Sequence, residues 1–423
     1  MRPLSIFALA CLFLPNAMAA EYPDASSLPV KPELPDPLIL SSGEKVASRE
    51  EWQSKRVPEL RNLFQHYEYG FFPPAPDKVE SKVDRTDPVA FGGKATLREI
   101  TLSWGMPDSQ IHLLLVVPNH REKPAPVFLG LNFNGNQALL NDPLVRAPDE
   151  ANYPNKSNGG PEAQRGKEVE TWNIEQSIDR GYGVASFFTG DVVPDDVNIA
   201  RERLKHFRRG AEAAPDDCAT LAAWAWGLMR AVDYLVSDPT IDGKRIAVVG
   251  HSRNGKAAMV AAAFDERIAL AIPLQAGCGG TAPARVSPEL SAVVNGRPTV
   301  ETIKRINTSF PHWFDDIFKQ FNDEPARLPF DQHELIALCA PRPVLVCAAT
   351  EDVWANPAGQ FEMLKAANPV YQMVSGDGLG ATEMPPVGKL LPSRLGYFIR
   401  PGKHSMSKVD WDAFLDYVDH WLK

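Results

Sequence analysis

One segment constrains this chain more than any other: Arg245-Ile246-Ala247-Val248-Val249-Gly250-His251-Ser252-Arg253-Asn254-Gly255-Lys256-Ala257-Ala258. A β-branched run enters Gly-x-Ser, and a stretch rich in Gly and Ala leaves it. A strand that bends sharply into a helix brings two backbones together. A serine can sit on that bend only if its neighbours are small. Such a turn lifts the hydroxyl clear of the sheet edge. It also sets the hydroxyl at a helix N-terminus, which favours developing negative charge. This is the context of a nucleophile elbow. The second glycine comes one place later than in the general G-x-S-x-G pattern, because Asn254 intervenes. A plain strand-to-helix turn with a serine near the N-cap shares this local sequence, so the reading depends on partners elsewhere.

The rest of the chain has the periodicity such an elbow needs. Adjacent strands are expected at 94–104 and 111–117, then strands at 126–131, 183–188, 245–250, 268–274, 342–348 and 395–399. Helical stretches are expected at 51–69, 175–180, 217–235, 255–263, 357–366 and 411–422. Apolar strands alternating with helices predict an α/β fold, a mostly parallel sheet covered by helices on both faces. Residues 280–335 break the alternation and read as an insertion above the sheet. Residues 21–45 are rich in Pro and Ser and read as an extended surface arm. The 38 prolines of the chain argue for ordered loops rather than long helices.

The N-terminus reads as an export signal. Arg2 supplies the positive start, Leu4 to Leu14 a short apolar run, and Ala17-Met18-Ala19 the small residues of a cleavage site. The run is shorter than the roughly 20 residues that span a bilayer. The expected organisation is therefore a signal over 1–19, a Pro-rich arm over 20–50 and one catalytic domain over 51–423. An exported protein, periplasmic or secreted, follows, with no membrane attachment after cleavage. The formal charge of −9 disfavours a nucleic-acid partner, which needs clustered cations. Arg201-Glu202-Arg203-Leu204-Lys205-His206-Phe207-Arg208-Arg209 is locally basic and reads first as a solvated helix face. Cys218, Cys278, Cys339 and Cys347 show no metal-ligand spacing, and the sequence leaves bridges and free thiols open. No cofactor or metal is expected.

A serine nucleophile needs a base. Among nine histidines, His404 alone lies between the last predicted strand and the last helix, where the order Ser, acid, His of α/β-hydrolases places the base. His251 adjoins Ser252 but should diverge from it, as consecutive side chains do, and is taken as a packing residue. The acid should follow a strand between Ser252 and His404. Thr350-Glu351-Asp352 does so, with Asp352 preferred and Glu351 its rival. His404 would then remove the Ser252 proton for attack on an acyl carbon, with backbone N–H groups holding the oxyanion.

These residues resemble the glucuronoyl esterases, carbohydrate esterase family 15. The carriers are Gly250-His251-Ser252-Arg253-Asn254-Gly255-Lys256, which is similar to that family's G-x-S-R-x-G-K, and Thr350-Glu351-Asp352-Val353-Trp354-Ala355-Asn356-Pro357. Supporting matches are Asn132-Phe133-Asn134-Gly135-Asn136, Gly190-Asp191 with Pro194-Asp195, Glu301-Thr302-Ile303 leading to Phe310-Pro311-His312-Trp313, and His404. The resemblance covers roughly residues 90–423. It implies an α/β-hydrolase fold, Ser252 as nucleophile, His404 as base and Arg253 as an oxyanion contact. It further implies that Lys256, Glu301 and Trp354 hold a uronate sugar.

One departure matters. Many members of the family, especially fungal ones, carry the triad acid as a Glu on the strand after the serine helix. Here that place is Gln275, and an amide cannot stabilise an imidazolium as a carboxylate does. The resemblance is thus to bacterial-type members, with the weight on Asp352. The implied activity is that of a 4-O-methyl-glucuronoyl methylesterase. The expected partner is a lignin–carbohydrate ester on glucuronoxylan, and the expected state a monomer. Two other readings are an acetyl xylan esterase and a non-catalytic glycan-binding protein.

Overall fold

The computed structural model describes residues 22–154, 156–286, 293–294, 297–298 and 300–423. The expected signal over 1–19 lies outside the described residues. Eleven strands are described: β1 (Glu80–Ala90), β2 (Ala95–Ser103), β3 (Ile111–Pro118), β4 (Ala125–Asn132), β5 (Gly183–Phe188), β6 (Ile241–His251), β7 (Ile268–Leu274), β8 (Val293–Val294), β9 (Arg297–Pro298), β10 (Val344–Ala349) and β11 (Leu395–Arg400). β8 and β9 form a separate small hairpin. The other nine make one sheet in the order β1-β2-β3-β5-β4-β6-β7-β10-β11. β1, β2, β3 and β5 pair antiparallel in succession. From β5 to β11 every pairing is parallel. This is the α/β-hydrolase fold.

The strand sequences explain why helices cover both faces. In β6, Ile246 and Val248 face one apolar core, while Ala247 and Val249 face the other. β10 does the same, with Val344, Val346 and Ala348 on one side and Leu345 and Cys347 on the other. Side chains alternate across a strand, so an unbroken apolar run must be buried twice. The helices Thr220–Leu235 and Arg253–Phe264 cover the first face. The segment Val169–Trp172 and the last helix, Lys408–Leu422, cover the second.

Two elements differ from expectation. β1 (Glu-Ser-Lys-Val-Asp-Arg-Thr-Asp-Pro-Val-Ala) has no apolar alternation, because it is a mostly exposed edge strand, where Pro88 and charged residues are tolerated. The helix from Pro357 runs to Ser375, through Pro369. An internal proline costs a helical hydrogen bond, yet buried Phe361, Leu364, Val370 and Tyr371 hold the helix against the sheet on both sides of it. The many prolines therefore do not exclude long helices. Between β7 and β10 no described residue joins the main sheet. The segment forms short helices at Ile303–Ser309 and Gln332–Ala337.

The described part of the Pro-rich arm is mostly without regular secondary structure and is tied down by hydrogen bonds. Lys31 N donates to Ala326 O at 2.8 Å, and buried Arg56 donates to Pro37 O at 3.2 Å while pairing with buried Glu334.

Trp411 is fully buried, stands edge-on to Phe128 at 5.3 Å, and donates its indole N–H to Thr171 O at 2.8 Å. Trp411→Ala should lower unfolding free energy by about 3–5 kcal/mol in denaturant titration, from the cavity it leaves. A loss under about 1 kcal/mol would mean that this face collapses to fill the space.

Candidate active site

The candidate residues gather at the carboxyl ends of β6, β7, β10 and β11, where parallel sheets open a crevice. β6 ends at His251, and the helix Arg253–Phe264 begins immediately after Ser252. Ser252 has φ 59° and ψ −128°, a backbone state that non-glycine residues rarely hold. A Cβ on Gly250 would stand 2.1 Å from Asn254 O, and one on Gly255 would stand 2.8 Å from Gly250 O. The two glycines therefore let strand and helix touch, and this accounts for the late second glycine. Asn254, the extra residue, donates its amide to Leu131 O at 3.1 Å, tying the elbow to β4.

His404 lies in the loop after β11. Its Nδ1 is 2.7 Å from Asp352 Oδ2, in the loop after β10. A carboxylate accepts, so Nδ1 carries the proton and Nε2 is left to accept one. Asp352 is 4% exposed, whereas Glu351 points to solvent. Backbone bonds hold the two loops side by side: Thr350 N to Arg400 O at 3.0 Å and Glu351 N to Gly402 O at 2.9 Å. The elbow reaches this pair through the residue before Ser252: the ring of His251 lies 4.5 Å from that of His404. Among the described residues no hydrogen bond joins Ser252 Oγ to His404. Such contacts commonly tighten only with substrate bound.

His251 is half-buried and packs, as expected of it, but it packs against His404. Its Nε2 is 2.9 Å from Gln275 Oε1. Burial, aided by the nearby His404, Arg253 and Arg400, pushes its imidazole down to about 3, so it stays neutral.

Arg253 is held by groups to which the sequence reading gave no role. Its Nε pairs with Asp195 at 2.8 Å, and its guanidinium lies 4.7 Å from the Phe133 ring and 5.7 Å from that of Trp313. The same carboxylate meets His312 Nε2 at 2.9 Å and accepts from Trp313 Nε1 at 2.7 Å. Burial drives the Asp195 carboxyl up, but these hydrogen bonds and the Arg253 charge outweigh it and hold the group below its usual range. Pro194-Asp195 and His312-Trp313 stand among the motifs, so a signal for their location existed. The signal did not say that they converge on Arg253.

Lys256, Glu301 and Trp354 also come together. Lys256 Nζ donates to Ala276 O and Cys278 O, each at 2.6 Å, and to Glu301 Oε2 at 2.8 Å. Those bonds use all three of its N–H donors. The other oxygen of Glu301 accepts from Trp354 Nε1 at 3.1 Å, and Glu301 N donates to Trp354 O at 2.9 Å. In this structure Lys256 fixes Glu301, and Trp354 is the most exposed of the three. The basic cluster at 201–209 is largely matched by nearby acids: Lys205 pairs with Glu202, Arg208 with Asp217 and Arg209 with Asp216. Among the described residues the four cysteines, Cys218, Cys278, Cys339 and Cys347, are free and buried.

The sequence profile of fungal glucuronyl esterases matches residues 172–375. The chain is 40% identical, over 94% of its length and 91% of the relative's, to carbohydrate esterase MZ0003 from an unknown prokaryotic organism. It superposes with TM-score 0.84 on the glucuronoyl esterase of Solibacter usitatus, at 34% identity, covering 94% of this chain and all of that one. A promiscuous CE15 esterase from a marine bacterial metagenome gives TM-score 0.82 at 38% identity, covering 94% and 99%.

Removing the ammonium from the buried cluster should be costly. Lys256→Met leaves Glu301, 6% exposed, as an unpaired buried carboxylate, together with two carbonyls that lose their donor. A loss of about 3–5 kcal/mol in unfolding free energy is expected in denaturant titration. An unchanged midpoint would show that solvent reaches Glu301.

Proposed function

This chain belongs to the glucuronoyl esterases of carbohydrate esterase family 15, which are carboxylic ester hydrolases, and on that premise we propose that it cleaves esters of 4-O-methyl-glucuronic acid through Ser252, His404 and Asp352. The natural bond is the one between a glucuronate carboxyl on xylan and an alcohol of lignin. The protein acts outside the cytoplasm, after removal of residues 1–19.

In this reading His404 Nε2 takes the Ser252 proton as Oγ attacks the uronate carbonyl carbon. Asp352 holds the ring in the Nδ1–H form and stabilises the imidazolium. The tetrahedral oxyanion faces Arg253, whose cationic side chain is already oriented by Asp195, Phe133 and Trp313. Preorganised charge of this kind needs no reorganisation when the oxyanion forms. The imidazolium then gives its proton to the departing alcohol, leaving a uronoyl ester on Ser252. Water, deprotonated by His404, hydrolyses that ester and restores the serine. The Trp354 ring and the Glu301 carboxylate meet the sugar, and Lys256 acts through Glu301.

The observation that carries this reading is the buried Asp352 carboxylate 2.7 Å from His404, at the same end of the sheet as a serine held at φ 59°. Ser252→Ala should lower kcat on a benzyl glucuronate ester by roughly 10⁴-fold or more, and Asp352→Asn by roughly 10³- to 10⁴-fold. Retained turnover in either variant would remove that residue from the mechanism. Acetylated xylan assayed beside the uronate ester separates this reading from an acetyl esterase: the higher kcat/KM should fall on the uronate ester.

A further inference from the structure

The resemblance puts Gln275 where many family members carry their acid, and the structure gives it one contact, to Lys403 O, that a carboxylate could not make. It follows β7 at φ 53°, is 2% exposed, and its backbone N donates to Cys347 O on β10 at 2.8 Å. Its side chain reaches the His404 loop from beneath. Oε1 accepts from Ser405 N at 2.9 Å, and Nε2 donates to Lys403 O at 3.4 Å. Those two residues flank His404. The amide orientation is fixed by these bonds, since Ser405 N–H requires an oxygen and Lys403 O a donor. It follows that His251, 2.9 Å from the same oxygen, donates from Nε2. The His251 ring, held in that tautomer, packs at 4.5 Å and 43° against the His404 ring.

We propose that Gln275 is a positioning residue for the base: its amide clamps the backbone on both sides of His404 and, through His251, supports the imidazole face. This deepens the Ser252–His404–Asp352 reading and rests on it. A carboxylate at 275 could accept from Ser405 and His251 but would set a charged oxygen against Lys403 O. The amide is therefore the side chain that satisfies all three partners while Asp352 alone supplies the negative charge. Arg400 braces the same loop from β11, donating to Ser405 O at 2.5 Å, with its own charge met by Asp410 at 2.8 Å. The loop is thus held from β7 and from β11, the strands on either side of β10, and Gln275 is its support on the serine side.

The test uses the full-length exported enzyme and a benzyl glucuronate ester. Gln275→Ala should lower kcat by about 10- to 100-fold with KM within about twofold, because the loss is one of base orientation rather than binding. Gln275→Glu, nearly isosteric, should also lose rate per folded molecule. It should in addition move the acid limb of the kcat/KM profile to higher pH, because a new carboxylate beside the imidazole favours its inactive, protonated form. The charged or titratable groups already facing that ring and its loop are Asp352 after β10, His251 and Arg253 at the elbow, Arg400 on β11 and Lys403 beside it. Gln275→Ala should leave the acid limb in place. Wild-type kcat in both variants, or a loss matched by an equal loss of folded protein, would overturn the clamp. Activity surviving in Ser252→Ala or Asp352→Asn would instead overturn the triad, so the two failures are distinguishable.

Discussion

Everything at the candidate site depends on one close approach, the passage of the helix Arg253–Phe264 over Gly250. With Asn254 O 2.1 Å from where a Cβ would stand, no side chain fits at 250. That contact lets the chain reverse within a residue or two and holds Ser252 in an otherwise unfavourable backbone state. The surrounding structure holds it there. β6 lies in the interior of a nine-stranded sheet, and Ile246 to Val249 are buried on both faces. Asn254 fastens the turn to β4, and Ser252 N fastens it to Leu274 O on β7 at 2.9 Å. Strain at one residue persists because neighbouring strands over-determine it.

Around that turn the charged side chains are paired before any substrate arrives. Arg253 is pinned by Asp195, Lys256 by two carbonyls and Glu301, and His404 by Asp352. Each charge that comes out of water meets an opposite charge or a dipole, as burial requires. The consequence is functional as well as structural. A site whose cations and donors are already aimed does not have to reorganise as charge develops on a reacting carbonyl. The Asp195 carboxylate, shared by Arg253, His312 and Trp313, also couples the 280–335 insertion to the elbow.

Much of this was legible beforehand, for specific reasons. β5 and β7 fall where the apolar runs 183–188 and 268–274 lie, since short runs bounded by turn residues have little freedom in where to begin and end. Asp352 could be preferred over Glu351 on motif alone, and burial separates them. Other features left no mark on the sequence. β1 carries no periodicity because an exposed edge strand need not be apolar. The extent of the helix past Pro369 is set by packing against the sheet, which overrides local propensity.

The linear chain by itself determined the architecture and singled out the candidate residues. Alternating apolar segments can be buried only in a doubly covered sheet, and Gly-x-Ser between a strand and a small-residue helix leaves few other turns. Tertiary structure alone decided what those residues touch. Lys256 spends its three donors inside the protein, Asp195 gathers Arg253, His312 and Trp313, and Gln275 grips the loop on either side of His404. Such contacts join residues tens to more than a hundred positions apart. They depend on distances and directions in space, which spacing along a chain does not encode.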